Sequence, residues 1–269
     1  MLTRCTLTKP CAFLLAGCLS LPLPAAEPPA GSSATPRDDA AWLRQGPLIF
    51  ADSFDREEDG NLATAIGNGW TSATADRVPG TKQADLDDGV LKVTVDPKAG
   101  HGAHIHHDAG FADGGATLRF KLPGLTKGES LTVGFVDREM PGVHAGHLGY
   151  AFIYSDSKPP HILLRDHKTG VSDQEIRKRR DPYLKAKQKL PDDLEALLAT
   201  KAREFPWPAD HEWHDLVLVT EGDEMRVSVD GKPIGSHRSA GFAHPVKRWF
   251  SLGIPSTAWV DDVKVWKVK

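Results

Sequence analysis

Histidine is the residue type in this sequence that is best suited to chemistry. The chain has 269 residues and twelve histidines, eight of which lie between residues 101 and 167: His101, His104, His106, His107, His144, His147, His161 and His167. An imidazole changes its charge near neutral pH, so it serves as a general base, a general acid or a metal ligand. This segment is therefore the main candidate for a functional site.

Strand alternation sorts these side chains by face. In the run from Ala103 to His106, His104 and His106 share one face of a strand and the apolar residues share the other. The same rule places His147 on the face opposite Tyr150. We therefore expect His104, His106 and His147 on the solvent face of one sheet. The polar residues expected near them are Lys82, Asp85, His101, His144, Arg165, Asp166 and His167.

Three interpretations of this set stay open. In the first, His104, His147 or His167 transfers a proton. Asp166 then fixes the tautomer of a neighbouring imidazole, and Arg165 stabilises negative charge or holds an anionic group. Such a set also suits β-elimination of uronates. In the second, strand histidines two residues apart bind a metal, although no His-Glu-x-x-His motif occurs. In the third, the histidines form ordinary surface hydrogen bonds.

The composition excludes several classes of partner and site. The formal net charge is −3, which argues against a nucleic-acid partner. No stretch of 18 apolar residues follows the N-terminal region, so nothing there predicts a transmembrane helix. The cysteines are Cys5, Cys11 and Cys18, so the rest of the chain has no disulfide, thiol nucleophile or thiolate metal site.

The N-terminal region is typical of an export signal. Arg4 and Lys9 precede an apolar run at residues 11–21, which is too short to span a bilayer. Within this run, residues 15–18 (Leu-Ala-Gly-Cys) resemble a bacterial lipobox, in which the cysteine is acylated. We expect a signal peptide at residues 1–18 and a lipid anchor on Cys18, in the outer membrane or periplasm; the alternative is ordinary cleavage and secretion.

The remaining sequence predicts a tether followed by one all-β domain. Residues 19–46 are rich in Pro, Ala, Ser and charged residues and predict a flexible tether. Residues 47–269 carry short alternating runs separated by turn residues, which favours a sandwich or barrel. Residues 173–204 are charged and predict a helical insertion that serves either as a lid or as a cover for a sheet edge.

The ends of this domain resemble a known fold group. The opening Phe50 to Arg56, the closing Trp213 to Leu216 and the final Val260 to Trp266 look like the concanavalin A-like (laminin-G-like) lectin and glucanase sandwich domains of bacterial secreted proteins. They are similar in particular to the 3-keto-disaccharide hydrolase domain group. The resemblance implies a jelly-roll sandwich of two antiparallel sheets, whose concave face is the usual sugar-binding surface.

The resemblance also sets functional expectations. The chain is expected to be an envelope carbohydrate-active protein, a glycan hydrolase or lyase that uses the histidine face on a poly- or oligosaccharide. The alternatives are a lectin-like binding module without catalysis and a structural envelope lipoprotein. The Glu-x-Asp-x-x-Glu strand of laminarinase-like members is absent, which disfavours their mechanism, because retaining glycosidases need two carboxyl groups about 5 Å apart.

Two further features are open to more than one interpretation. Trp207 follows the predicted insertion, and its ring either stacks on a sugar or fastens the insertion by hydrophobic packing. No cofactor is expected to be required. A structural calcium ion is the one metal that the fold group suggests, with Asp52 and Asp261 as weak candidate ligands and solvated acidic strand ends as the alternative.

Overall fold

A computed structural model describes residues 37–58, 66–72 and 77–269 of the chain. The predicted signal peptide, the Cys18 acylation site and most of the predicted tether lie outside these residues. Among the described helices, none combines the length and the apolar character needed to cross a bilayer.

Short alternating segments form the strands, as their sequence pattern predicts. The strands are β1 (Leu48–Asp52), β2 (Thr71–Ser72), β3 (Ala84–Asp87), β4 (Val90–Thr94), β5 (Ala103–Phe111), β6 (Gly114–Lys121), β7 (Ser130–Val136), β8 (His147–Tyr154), β9 (His161–Asp166), β10 (Ala202–Pro206), β11 (Trp213–Glu221), β12 (Glu224–Val229), β13 (Lys232–Arg238), β14 (Lys247–Ile254) and β15 (Thr257–Lys267). The helices are α1 (Asp39–Leu43), α2 (Gln174–Lys185) and α3 (Asp192–Ala199).

In the described residues these strands form two antiparallel sheets. The eight-stranded sheet has the order β13-β12-β11-β6-β15-β4-β3, with β1 also paired to β15. The seven-stranded sheet has the order β10-β9-β8-β7-β14-β5-β2. β8 and β9 form one hairpin, β11 and β12 form another, and the last strand pairs beside the first. The all-β sandwich predicted from the sequence is confirmed.

The core lies between the inner faces of the two sheets. Ile105 and Leu252 contribute from the seven-stranded sheet, and Leu118 and Val260 from the eight-stranded sheet; all four are buried. Because successive residues of a strand point to opposite faces, the residues that alternate with Ile105 and Leu252 point away from this core. This alternation is what presents polar side chains on the outward face of the seven-stranded sheet.

The structured part of the chain begins before residue 47, where the sequence predicts the tether to end. Asp38 caps α1 by accepting a hydrogen bond from the backbone N–H of Ala41 at 2.9 Å. Trp42 and Leu43 are buried against Val219 and Trp266. A five-residue helix is too short to persist without such packing, so this burial is what adds residues 38–46 to the domain.

The insertion consists of α2, α3 and then β10, which pairs with β9 at the edge of the seven-stranded sheet. Asp173 caps α2 by accepting hydrogen bonds from the backbone N–H groups of Glu175 and Ile176. Arg179 of α2 forms an ion pair with Asp193 of α3 at 2.5 Å. Leu194 is buried, so α3 is anchored on the domain by its apolar side.

Truncation of Leu252 tests where the stability of the sandwich comes from. Leu252 is fully buried between the sheets, whereas Leu184 on α2 is 54% exposed. Leu252→Ala is expected to lower the free energy of unfolding by about 2–5 kcal/mol, and Leu184→Ala by less than about 0.5 kcal/mol. Urea denaturation of both variants measures this difference, and equal losses would contradict the assignment of the core.

Candidate active site

A pocket of about 500 Å³ opens on the outward face of the seven-stranded sheet. Its volume lies within the roughly 300–1,000 Å³ of small-molecule sites. Its lining consists of Thr71, Ser72, Arg77, His101, His104, His106, Arg138, His144, Ala145 and His147. Five histidines are therefore brought together from two segments of the chain: the three expected on one face and two of those expected near them.

Small residues in the middle of the sheet make room for the pocket histidines. On β14, Gly253 pairs with His104 and Ser251 pairs with His106. On β7, Gly134 pairs with Ser251 on the other side. A Cβ atom on Gly134 would lie 2.3 Å from Cδ1 of Tyr150, so the tyrosine ring lies directly against this glycine. Only glycine permits that approach.

Tyr150 is the partner of His147. Nδ1 of His147 and the Tyr150 hydroxyl are 2.5 Å apart. Alternation alone predicts the two side chains on opposite faces, and that expectation is wrong. The β7–β8 register shifts between Phe135 and Val136, and such an irregularity changes which side chains face outward. The contact leaves Nε2 of His147 without a hydrogen-bond partner among the described residues, on a ring that lines the pocket.

The loop before β8 carries Arg138 and His144 to the pocket. Gly146 has a φ of 67°, and a Cβ atom there would lie 2.1 Å from the carbonyl oxygen of Asp137. The Asp137 N–H donates to the carbonyl of Gly146 at 2.8 Å. These two features close the loop, because a left-handed backbone and so close an approach both require glycine.

Hydrogen bonds and an ion pair hold this loop against the rest of the domain. The Asp137 carboxylate contacts Nε2 of His244 at 2.9 Å and accepts a hydrogen bond from Nε of Arg248 at 2.9 Å. Burial raises the pKa of Asp137, but the His244 contact and the Arg248 charge outweigh it and lower that pKa. The carboxylate therefore stays charged and keeps the loop in place.

The insertion holds the other side of the same loop. The His144 N–H donates to the carbonyl of Ser172 at 2.7 Å, and the Gln174 N–H donates to the carbonyl of Gly142 at 2.9 Å. Val143 and Asp173 form an isolated β-bridge. The insertion thus supports the pocket wall through backbone contacts.

Three of the pocket histidines are neutral at pH 7. Burial lowers the pKa of His104 to about 4, with contributions from His101, Arg77 and Arg138. Burial also lowers the pKa of His106 to about 3 and that of His147 to about 4. The positive charge of Arg138 acts in the same direction on all three. Each imidazole therefore has a nitrogen lone pair that can accept a proton or a hydrogen bond.

His167 lies behind the pocket and does not line it. Its ring centre is 5.9 Å from that of His147 and 5.0 Å from that of Tyr150. Its Nδ1 lies 3.1 Å from the Ser172 hydroxyl, and its buried Nε2 has no partner in the described part of the chain. Burial lowers the pKa of His167 well below the usual value. The structure thus places this predicted catalytic residue as a support for His147 and Tyr150.

Asp166, predicted as a catalytic residue, does not line the pocket. Its fully buried carboxylate accepts hydrogen bonds from the N–H and hydroxyl of Thr169, from the Ser239 hydroxyl at 2.5 Å and from the Gly241 N–H at 2.9 Å. Asp166 follows Arg165 in β9, so it points to the opposite face from that arginine. Its role is to join the turn after β9 to the turn at residues 240–242.

Several predicted substrate-binding residues lie away from the pocket. Lys82 forms ion pairs with Glu58 and with Asp85, beside β3 of the eight-stranded sheet, so both predicted residues are on the wrong sheet. Trp207 is buried against Phe120, which corresponds to the packing alternative.

Arg165 differs from these residues because its strand belongs to the seven-stranded sheet. It pairs with Tyr150 across β8 and β9, and its guanidinium lies 5.5 Å from the ring centre of Phe152. It does not line the pocket.

Within the described ranges, no group of three or more His, Cys, Asp or Glu residues is arranged to hold a metal ion. Asp52 accepts hydrogen bonds from Arg56, from Nε1 of Trp70 at 2.7 Å and from the Phe54 N–H at 2.8 Å. Asp261 forms an ion pair with Arg119 at 3.3 Å. The two calcium candidates thus have protein partners, and the geometry adds no support to the calcium prediction.

The sequence analysis missed Arg77, Arg138 and Tyr150. Tyr150 lies on the same face as His147 because of the register shift, and the residue types alone do not predict such a shift. Arg138 lies in a loop between Asp137 and Gly146, and the density of Gly and Pro there was a usable indication of a tight turn that presents side chains.

The sequence matches no protein-family profile, and no curated protein matches it. Solved structures do match its fold. A non-specific endo-β-1,3(4)-glucanase of family GH16 aligns with a TM-score of 0.51 at 15% identity, over 82% of this chain and 95% of that chain. A laminarinase from Flavobacterium sp. UMI-01 aligns with a TM-score of 0.50 at 15% identity, over 82% and 100%. This chain has a concanavalin A-like jelly-roll fold. At such identities the jelly roll alone is shared, since one fold hosts many functions.

The lowered pKa values predict how stability depends on pH. The pKa of His147 is about 4 in the folded chain and about 6.5 when unfolded. Between these values only the unfolded chain binds the proton, so the free energy of unfolding falls as the pH falls from about 6.5 towards 4, by up to about 1.4 kcal/mol per pH unit for each such histidine. His147→Gln should therefore give a shallower acid slope.

Urea denaturation at several pH values measures this slope. His161→Gln is the matched control, because His161 lies on the same sheet but outside the pocket, and it should retain the slope of the unmodified protein. An unchanged slope in His147→Gln would contradict the assignment of a neutral His147.

Proposed function

We propose that this protein is a carbohydrate-active enzyme that binds a glycan in the histidine pocket and cleaves it by proton transfer at His147. The observation that carries the proposal is the contact between Nδ1 of His147 and the Tyr150 hydroxyl: when the Nδ1–H donates to the hydroxyl oxygen, the lone pair of Nε2 in the neutral imidazole is available in the pocket. A positioned, neutral imidazole is what a general base requires. Tyr150 holds the ring, and burial raises the pKa of Tyr150, so its hydroxyl stays protonated.

The shape of the site supports a glycan as substrate. The pocket is a surface depression on one face of a jelly roll, where an extended chain has room to pass, and its lining offers Thr71, Ser72 and the imidazoles as hydrogen-bond partners for sugar hydroxyls. His104 lies across from His147, with ring centres 6.4 Å apart. The two imidazoles are close enough to bond to neighbouring hydroxyl groups of one sugar.

A lectin-like binding module is the second candidate. The exposed rim residues Arg77 and Arg138, with polar side chains around them, would also suit capture of a glycan without cleavage. A depolymerisation screen separates the two functions, because an enzyme releases new chain ends and a binding module only retains the polymer.

The screen compares the purified protein with His147→Ala and with His161→Ala. Neutral and acidic polysaccharides are incubated with each, and new reducing ends are measured. We expect cleavage by the unmodified protein and by His161→Ala, and a loss of about 10²–10⁴-fold in His147→Ala, the usual contribution of general acid–base catalysis. Retention of a glycan on affinity gels without new reducing ends would favour the binding module. If the protein neither cleaves nor retains any glycan, a structural role is the remaining interpretation.

We also propose that the protein is exported and anchored to the bacterial envelope through an acylated Cys18. The support is the lipobox-like run at residues 15–18 behind a short apolar segment. Cys18→Ser should move the protein from the membrane fraction to the soluble fraction and abolish labelling by a radioactive fatty acid. Cys11→Ser is the matched control, and labelling that survives Cys18→Ser would contradict the proposed anchor.

A further inference from the structure

Among the described residues, the permanently charged side chains that line the pocket are cations. Arg77 and Arg138 line it, and among the described residues no Asp or Glu does. Arg177 of α2 adds its positive charge to the environment of His147. Each neighbour that shifts the pKa of His104, His106 or His147 is an arginine or another histidine, and none is an acid. The field inside the pocket is therefore positive.

Arg138 differs from the arginines that surround it. Arg248, Arg179 and Arg180 each form an ion pair with an acid. Arg138 has no such pair with any described acid, and its guanidinium lies 5.8 Å from the ring centre of Trp249. The braced loop and the nearby Trp249 ring position this guanidinium at the rim, and a guanidinium without an acidic partner can bind a carboxylate through two donors.

This charge distribution distinguishes between reaction types. Glycoside hydrolysis passes through an oxocarbenium-like, positively charged transition state and normally uses two carboxyl groups. A positive pocket raises the energy of that state. Abstraction of a proton α to a carboxylate instead builds negative charge, and cations directed at developing negative charge are a large source of catalysis. Abstraction of a proton α to a carboxylate therefore suits the arginines and the neutral histidine of this pocket.

We propose that the pocket takes an acidic polysaccharide with carboxylate-bearing sugars and cleaves it by β-elimination, with His147 as the base and Arg138 and Arg77 as the carboxylate-binding groups. This inference rests on the proposed function of the same site and names its substrate class. Tyr150 is a positioning residue, since it holds His147 and does not line the pocket.

The reaction balances without water or an oxidant. Nε2 of His147 takes the proton from the carbon α to the carboxylate, and that electron pair forms a double bond to the β carbon. The bond between the β carbon and the glycosidic oxygen breaks, and the oxygen leaves with its electron pair. The imidazolium returns its proton to this oxygen. The products are a chain with a free hydroxyl and a chain that ends in an α,β-unsaturated uronate.

The bound carboxylate also makes His147 a stronger base. Burial lowers its pKa to about 4, and the imidazoles of His104 and His144 and the cations Arg138 and Arg177 act in the same direction. A negative charge placed between His147 and Arg138 opposes the effect of those cations, because opposite charges nearby favour the protonated imidazole. The substrate would thus raise the pKa of the base that acts on it, and a neutral glycan would not.

The test uses the purified protein and five probes. These are polygalacturonate, alginate, carboxyl-reduced polygalacturonate and the neutral glucan laminarin, with the sulfated galactan carrageenan to separate sulfate from carboxylate recognition. Two readouts are recorded together: new reducing ends, and the ultraviolet absorbance of the conjugated uronate double bond. We expect both with at least one polyuronate, and neither with the carboxyl-reduced polymer or carrageenan.

The variant Arg138→Gln tests the carboxylate contact. It should lower kcat/KM on the polyuronate by about a hundredfold, the usual cost of one lost donor to developing charge, while the exposed position leaves the thermal midpoint unchanged. Arg119→Gln on the eight-stranded sheet is the matched control and should change kcat/KM less than about twofold. Tyr150→Phe should shift the pH profile of kcat, which a purely structural tyrosine would not do.

The outcomes separate the two proposals. Cleavage of laminarin or of the carboxyl-reduced polymer at rates equal to those on polyuronate would overturn the acidic substrate and leave the proposed function standing. New reducing ends without the double-bond absorbance would overturn elimination in favour of hydrolysis. No cleavage of any probe would overturn both. Full activity in Arg138→Gln would overturn its role in binding the carboxylate.

Discussion

The close approach of the Tyr150 ring to Gly134 is the constraint on which the pocket depends. A side chain at residue 134 would push the ring away, since even a Cβ atom would lie 2.3 Å from it. With the ring in place, the hydroxyl reaches Nδ1 of His147, and Ser251 beside Gly134 leaves space for His106. The geometry of the imidazoles is therefore set by the smallest side chains of the sheet, in the strands that lie between them.

The pocket brings together several basic side chains, but not all of them carry a positive charge. Burial keeps His104, His106 and His147 neutral, because desolvation penalises the charged imidazole. Arginines cannot lose their protons, so the permanent charge is confined to the exposed rim at Arg77 and Arg138. The result is a neutral, hydrogen-bonding floor below a cationic rim. Folding tolerates this arrangement because water still solvates the rim, whereas charged imidazoles on the floor would be costly.

The fold was predictable from sequence to the level of sheets and hairpins. Alternation in β5 correctly placed His104 and His106 on one face, and short alternating runs separated by turn residues marked the strands. These features depend on neighbours in sequence. The composition of residues 38–46 predicts a tether, but these residues belong to the domain. Their placement depends on the packing of Trp42 and Leu43 against strands about 180–220 residues away in the chain.

The site was predictable only in part, and the errors have physical causes. Asp166 and Lys82 were assigned by residue type, but one belongs to the inward face of β9 and the other lies beside the opposite sheet. Alternation predicts Tyr150 on the wrong face. A single register shift between β7 and β8 reverses the alternation on one side of the shift. Arg138 reaches the pocket through a loop whose conformation depends on a carboxylate, Asp137, and on its distant partners His244 and Arg248.

The same jelly roll supports different chemistry because its outward face is independent of its core. Inward residues such as Ile105 and Leu252 maintain the sandwich, while the alternating outward positions are free to vary without disturbing it. In this chain those positions hold imidazoles, and a loop and a helical insertion bring arginines to their edge. A site that provides lone pairs and fixed positive charge, with no acid in its described lining, favours transition states that are negative. The charge of this face, more than the fold, is therefore what distinguishes between the reactions proposed for this domain.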